Sequence, residues 1–195
     1  MWPGCLNGSS PANDDGFYNE TLVMHSDPIN QAGFVARIRR APRRGAGILR
    51  KVRCGFASAH TRGHKPNRLI IFSRYPMPGE AKTRLIPALG PVGAARLQRT
   101  MTRRTLDVAR HAADLIDCDI EVRFVGGDAR RMRRWLGPGI RFTRQGGGDL
   151  GQRLHRAADE GLASGAGKIV IIGADCPGVS AEDLQAAFIA LETDD

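Results

Sequence analysis

From Asn67 onward, short apolar runs alternate with longer segments of helical period, and this alternation constrains the fold more than any other feature. The runs 69–72, 120–125 and 168–172 are short enough for strands, and the last is the most apolar. Helices are predicted over about 91–114, 128–136, 149–163 and 180–191, with a short edge strand at 141–145. This order is typical of an α/β domain with a mostly parallel sheet.

The longest predicted helix has one apolar stripe, which we expect to face the core. The stripe consists of Leu97, Met101, Val108, Ala112 and Leu115. Asp128 and Ser180 are predicted N-caps, and Asp183 makes a near capping box with Ser180.

Residues 1–66 differ in composition from the rest of the chain. They hold ten Lys/Arg against four Asp/Glu, whereas 67–195 holds nineteen against sixteen. No sustained helix or strand period occurs in them. We therefore expect 1–66 to be a disordered basic leader or the result of a start site placed too early, and 67–195 to be the domain.

The basic run 37–44 could bind nucleic acid or acidic lipid. No aromatic residues alternate with its arginines, as a single-strand-binding surface would require, so nucleic acid is not an expected partner. No run of eighteen apolar residues and no secretory signal pattern occurs, so no membrane partner is expected. The four cysteines lack metal-site spacing, which favours reduced thiols in a cytoplasmic protein.

A loop rich in Pro and Gly follows the first apolar run. Pro78 and Gly79 would let backbone amides approach a ligand closely, and Lys82 and Arg84 supply two cations suited to phosphate. The glycines of a P-loop are missing. An exposed basic loop fits the spacing equally well.

A second segment, 145–153, contains G-x-G-x-x-G at Gly146, Gly148 and Gly151. It could open a helix and touch a phosphate or a base, or it could be a flexible turn before a capped helix. The preceding run 141–145 is not apolar, as a dinucleotide-binding unit would require.

An acidic residue, Asp175, follows the most apolar run. In α/β sheets, ligands bind at the carboxyl ends of strands, and a hard cation such as Mg²⁺ prefers carboxylate oxygen. The alternative is that Asp175 only caps the next turn. Cys176 beside it is expected to be a packing thiol, since no histidine lies nearby in sequence to activate it.

Taken together, these segments resemble a bacterial GT-A-like family of unassigned function. The order Phe-x-x-x-Pro-x-Pro-Gly-x-x-Lys-Thr-Arg-Leu from Phe72 to Leu85 resembles the family's opening, and 145–154 and 173–178 resemble its second and third motifs. Members are known as glycosyltransferase-like, or as radical-SAM/selenodomain-associated transferases. The resemblance covers nearly all of 68–191, and the family is similar to 2-phospholactate and molybdenum-cofactor guanylyltransferases.

The resemblance implies a GT-A-like, nucleotide-diphospho-sugar-transferase sandwich and a metal-dependent transfer from a nucleotide or nucleotide-sugar to a small-molecule acceptor. Mg²⁺ or Mn²⁺ would be the cofactor. By analogy, Lys82 and Arg84 would bind phosphates and Asp175 the metal, these three being the catalytic residues. The other nucleotide-binding residues would be Pro78, Gly79, Gly146, Gly147, Gly148, Asp149 and Arg153.

Family members continue with another strand and an Asp-Gly-Gly-Tyr-like segment that would bring a second acid to the metal. This sequence ends at Asp195. We therefore expect a domain that is incomplete at its C-terminus. The alternatives are a nucleotide-binding module without activity, or a dinucleotide-dependent oxidoreductase built on 146–151, which would leave Lys82 and Arg84 without a role.

Overall fold

The computed structural model describes residues 67–193, together with the backbones of 23–25 and 35–39. The strands are β1 (Val23–His25), β2 (Val35–Arg39), β3 (Asn67–Arg74), β4 (Cys118–Val125), β5 (Arg141–Arg144) and β6 (Lys168–Gly173). They form one sheet in the order β1-β2-β6-β3-β4-β5. β6, β3, β4 and β5 are parallel to one another, whereas β2 pairs with β6, and β1 with β2, in the antiparallel direction.

Four helices connect or follow the strands: α1 (Ile86–Ile116), α2 (Ala129–Leu136), α3 (Leu150–Ala163) and α4 (Ala181–Thr193). α1, α2 and α4 pack on one face of the sheet, against Leu69, Ile71 and their neighbours. α3 packs on the other face, against Ile70 and Phe72. Alternate residues of β3 therefore enter opposite cores, as the period-two geometry of a strand requires.

The predicted elements from β3 to α4 are confirmed within a few residues at their ends. The Asp128 carboxylate accepts a hydrogen bond from the backbone N of Arg131 at 2.8 Å. Ser180 and Asp183 form the reciprocal contacts of a capping box. These local signals define the helix starts correctly because they depend only on neighbouring residues.

Two strands, β1 and β2, lie within the segment 1–66, where the sequence shows no strand period. β2 gains its strand conformation from pairing with β6 along 168–172. Such pairing supplies backbone hydrogen bonds without needing an alternating side-chain pattern. The rest of 1–66 lies outside the described residues, so the expected boundary at residue 66 stays a prediction.

The predicted core stripe of α1 is confirmed only in part. Ala112 is buried and Val108 packs against the core, but Leu115 is 49% exposed, and the buried face also carries polar side chains. These are Gln98, Thr102 and Thr105, together with Ala94, Ala95, Leu106, Ala109 and Ala112. A kink at Gly90 separates a short first segment from the part that begins at Pro91, the position expected for the first helical turn.

No helix in the described part of the chain is long and apolar enough to cross a membrane.

Candidate functional site

A cleft of about 550 Å³ opens at the carboxyl ends of the parallel strands. This is where the connections of an α/β sheet can bring side chains from different strands together. The cleft is lined by Phe72, Ser73, Arg74, Lys82, Gln98, Val125, Gln145, Leu150, Arg153, Gly173, Ala174 and Asp175. All three sequence segments singled out above therefore contribute to one site.

Lys82 and Asp175 meet in this cleft. The Lys82 Nζ lies 3.4 Å from the Asp175 Oδ2, although the two residues are 93 positions apart in sequence. The lysine side chain is largely buried, at 17% exposure, while the carboxylate is 54% exposed. A pair with one partner half exposed adds little stability, and both residues line the cleft, where a ligand can reach them.

The backbone of Lys82 is unusual. Its φ of 46° places a non-glycine residue in the left-handed region, at the start of the short 3-10 turn Thr83–Leu85. That conformation costs roughly 1–2 kcal/mol for a residue with a Cβ. Strain of this kind is found where surrounding structure holds a functional side chain in place.

The first loop is only partly in the cleft. Pro78, Gly79 and Arg84 are exposed and do not belong to the lining described above. Arg84 lies in the 3-10 turn, and its side chain makes no hydrogen bond or ion pair with the described residues. Of the two cations predicted to bind phosphate, the structure brings Lys82 alone into the cleft.

The glycine segment forms the turn that begins α3. Gly146 and Gly148 have φ values of 78° and 97°, which side chains with a Cβ rarely adopt. A Cβ on Gly146 would also collide with the Arg156 guanidinium, which donates hydrogen bonds to the carbonyl oxygens of Gln145 and Gly147 at 3.1 and 3.0 Å. The glycines are thus required by the turn itself.

Asp149 caps α3. Its carboxylate accepts from the backbone N of Gln152 at 2.8 Å, and the Gln152 side chain accepts from the Asp149 backbone N at 3.1 Å. Gly146, Gly147, Gly148 and Asp149 adjoin the cleft without lining it, whereas Leu150 and Arg153 of the next turn line it. The capped-helix alternative therefore describes the local structure, and a ligand role for these four residues stays a prediction.

Several cleft residues were missed by sequence reasoning. Arg74 could have been found, because it directly follows the apolar part of β3 and so lies at a strand's carboxyl end. Gln98 gave no such signal, since the stripe through Leu97 was assigned to the core. Gln98 is 6% exposed and donates to the Thr102 hydroxyl at 3.0 Å, which in turn contacts the Ser73 hydroxyl at 3.1 Å.

Two candidates from the sequence remain, the thiol of Cys176 and a metal site. Cys176 is buried at 5% exposure next to Asp175, consistent with a packing thiol. Within the described residues, no group of three or more His, Cys, Asp or Glu side chains is arranged to hold a metal ion. A metal bound here would therefore have Asp175 as its carboxylate and would need oxygen ligands from elsewhere.

Comparison with known proteins agrees with this fold. Residues 105–195 match DUF2064, a family of uncharacterized proteins conserved in bacteria. Among solved structures, the chain is similar to a "putative nucleotide-diphospho-sugar transferase" from Desulfovibrio desulfuricans G20, with 30% sequence identity and a TM-score of 0.56. The match covers 65% of this chain and 55% of that one, so the chain spans little more than half the length of this relative. A search of curated proteins finds no match.

The structural similarity confirms the predicted fold class. The chain has a mixed α/β fold with a four-stranded parallel sheet, similar to that of a nucleotide-diphospho-sugar transferase.

Proposed function

We propose that this chain is a metal-dependent transferase that uses a nucleotide or nucleotide-sugar donor. One observation carries the proposal: a lysine and an aspartate from distant segments, Lys82 and Asp175, meet at 3.4 Å in a cleft at the carboxyl ends of β3 and β6. The name of the Desulfovibrio relative, a nucleotide-diphospho-sugar transferase, supports the same donor class.

The charge of the cleft suits phosphate groups. Three cations, Arg74, Lys82 and Arg153, line it beside one acid, Asp175. The cleft also includes Leu150 and Arg153 from the first turn of α3, where the partial positive charge of a helix N-terminus favours anions. A volume of about 550 Å³ is within the range of small-ligand sites and suits a nucleotide with a small acceptor.

The described residues fit Mg²⁺ or Mn²⁺ only if water and the substrate supply most of the metal's ligands. Mg²⁺ in transferase sites is commonly held by one or two carboxylates, several waters and the phosphates of the substrate. Asp175, at 54% exposure, can supply one such carboxylate. When bound, the metal would neutralise negative charge on the donor's phosphates.

The chain's own residues would act through position and charge. Lys82 is held beside Asp175 and would donate to phosphate oxygens of the leaving group, which is pyrophosphate in nucleotidyl transfer and a nucleoside diphosphate in glycosyl transfer. Both leaving groups gain negative charge as their bond to the transferred group breaks, and fixed cations stabilise that charge. Holding donor and acceptor together in the cleft lowers the entropic part of the barrier.

Thermal unfolding tests the proposal directly. The protein is titrated with the four nucleoside triphosphates, UDP-glucose, GDP-mannose and NAD, each with and without Mg²⁺ or Mn²⁺. A ligand at one hundred times its dissociation constant should stabilise the fold by about 2.7 kcal/mol. We expect a metal-dependent shift with one donor that is lost in Lys82→Met and Asp175→Asn.

Arg103→Met is the matched control, because it removes one positive charge from an exposed position of α1 outside the cleft. It should leave the shift intact. No shift with any nucleotide, from protein that unfolds cooperatively, would reject the proposal. A shift with NAD alone would favour the oxidoreductase, and binding without turnover of the bound donor would identify a nucleotide-binding module.

A further inference from the structure

Gln145 is buried at 4% exposure, and both the nitrogen and the oxygen of its side-chain amide are hydrogen-bonded. Its Nε2 donates to the carbonyl oxygens of Ser73 at 3.1 Å and Arg123 at 3.0 Å, which lie near the carboxyl ends of β3 and β4. Its Oε1 accepts from the Arg153 Nη1 at 2.9 Å. Because both amide protons are taken by carbonyls, the amide cannot flip, and its oxygen must face Arg153.

Two hydrogen bonds hold the Arg153 guanidinium and leave its other N–H donors available. Besides the contact with Gln145, its Nε donates to the Asp149 carbonyl oxygen at 3.1 Å. A guanidinium has five N–H donors, so three of them, including both on Nη2, are left for a ligand in the cleft that Arg153 lines. The guanidinium is thus fixed in orientation before any ligand binds, which suits bidentate binding of phosphate.

We infer that Arg153, oriented by Gln145, is the cation that binds donor phosphate together with Lys82, in place of the exposed Arg84. The inference rests on the proposed function, since it assigns residues of the same cleft. Gln145 is a positioning residue: it does not need to touch the donor, and it acts by tying Arg153 to the ends of β3 and β4. Neither its amide nor its role was visible from the glycine pattern that surrounds it.

The surroundings of residue 145 require a side chain that both donates and accepts hydrogen bonds. A glutamate there would set an oxygen against the carbonyls of Ser73 and Arg123, which repel it. A methionine would match the length of glutamine and leave both carbonyls, and Arg153, without their partner. Neither replacement keeps the orientation of the guanidinium.

Inorganic pyrophosphate is the probe, because it presents adjacent phosphates without base, ribose or sugar. Its affinity is measured by calorimetry with and without Mg²⁺ for the full chain and for Arg153→Met, Arg153→Lys, Arg84→Met, Gln145→Met and the double variant Gln145→Met/Arg153→Met. Arg103→Met controls for the loss of one exposed charge. Thermal unfolding of every variant records whether the fold is kept.

We expect Arg153→Met to weaken pyrophosphate binding by about tenfold or more, as for loss of a charge-assisted hydrogen bond. Arg153→Lys should restore little of the affinity, since a lysine cannot keep the hydrogen bonds to Gln145 and Asp149 and also reach the ligand. Arg84→Met and Arg103→Met should bind as the unaltered chain does. Gln145→Met should weaken binding, and the double variant should bind no worse than Arg153→Met, because the glutamine acts through the arginine.

Other results would overturn the inference. Absence of pyrophosphate binding by the unaltered chain, or a loss in Arg84→Met and none in Arg153→Met, would remove the assignment of Arg153. Additive losses in the double variant would remove the positioning role of Gln145. Nucleotide binding of unchanged affinity in Arg153→Met would reject the inference and leave the proposed function standing. Failure of every nucleotide to bind the unaltered chain would reject the proposed function itself.

Discussion

Lys82 combines two properties at one residue: a strained backbone and a side chain paired with Asp175. Its φ of 46° is shared by one other described residue with a Cβ, Asp117, whose φ is 43° at the end of α1. The two residues differ in setting, because Asp117 terminates a helix away from the cleft lining. This contrast allows strain and ligand binding to be separated experimentally.

Lys82→Gly should abolish ligand-induced stabilisation while changing the free energy of unfolding by less than about 1 kcal/mol. Relief of roughly 1–2 kcal/mol of left-handed strain offsets the extra unfolded-state entropy of glycine and the loss of a weak ion pair. Asp117→Gly relieves the same strain and should keep the full response to ligand. Urea denaturation with and without the active donor measures both quantities, and a large loss of stability in Lys82→Gly alone would show that its conformation is not strained.

Cys118 illustrates a burial effect at a single thiol. Burial, together with the neighbouring carboxylates of Asp119 and Asp117, raises the pKa of Cys118 to about 12. Since the thiolate is the reactive form, Cys118 should be alkylated by iodoacetamide at pH 8 far more slowly than the same residue in urea. Peptide mapping of the folded protein over time measures this rate, and equal rates in the two states would contradict the expectation.

The raised pKa of Cys118 also determines how the stability of the fold depends on pH. The folded thiol stays neutral above pH 9, where an unfolded cysteine with a pKa of 9.0 ionises. Its contribution to stability is therefore present below pH 9 and is lost progressively as the pH rises from about 9 toward about 12.

Among the secondary-structure elements, α3 depends most clearly on its first residues. The glycine turn and the Asp149–Gln152 capping box set where α3 begins, and Arg153 in its first turn then lines the cleft. The helix start and the site geometry are thus coupled. Loss of the cap should therefore affect both the stability of the helix and the binding of an anion.

Asp149→Ala should lower the free energy of unfolding by about 1 kcal/mol, the usual cost of losing an N-cap. Asp159→Ala is the matched control on the same helix, because its contact with His155 is a surface pair at 3.8 Å and contributes little. Urea denaturation of both variants compares them. An effect of Asp149→Ala no larger than that of Asp159→Ala would mean that the capping box contributes nothing.

Much of this element-level structure follows from local sequence. Apolar runs specify β3 and β6, and the cap residues specify the starts of α2, α3 and α4, because these signals involve neighbours in the chain. The buried face of α1 could not be predicted this way. Its polar members bond to distant strand ends, as when Thr105 Oγ1 donates to the Ala174 carbonyl oxygen, 69 positions away, at 3.3 Å.

The site was predictable to a similar extent. The carboxyl-end rule places Asp175 in the cleft, since β6 is recognisable from composition alone. The choice between Lys82 and Arg84 needed the loop's backbone, because a left-handed residue turns one side chain inward and leaves its neighbour two residues on exposed. The role of Gln145 depends on contacts with β3, β4 and α3 at once, which no local pattern encodes.

At the scale of the whole molecule, the two faces of the sheet are stabilised differently. Within the described residues, α1, α2 and α4 cover one face with an apolar core, whereas α3 packs on the other. On the α3 face of β4, Glu121 and Arg123 are each 2% exposed. The Arg123 Nε lies 2.8 Å from Glu121 Oε1, its Nη1 lies 2.7 Å from Glu160 Oε2 on α3, and Arg68 Nη1 lies 3.7 Å from Glu121 Oε2.

This network joins β3, β4 and α3, and it explains how β4 can carry charged residues on a covered face. Burial lowers the pKa of Arg68, and the nearby Arg141 lowers it further, while Glu121 opposes both effects. Glu121 is thus the buried anion that compensates the two buried arginines. Removing one partner of such a network costs more than the network itself contributes, because a buried charge is left without compensation.

Glu121→Gln should therefore lower the free energy of unfolding by about 3–5 kcal/mol, a large part of the 5–15 kcal/mol typical of a domain. Glu160→Gln makes the same chemical change on a partner that is 51% exposed, and it should cost much less because Arg123 keeps Glu121 as its compensating anion. The triple variant Arg68→Met/Glu121→Leu/Arg123→Met should recover much of the loss, since three apolar side chains need no compensation. Urea denaturation measures all three, and a Glu121→Gln cost no greater than that of Glu160→Gln would show that the buried charges do not depend on one another.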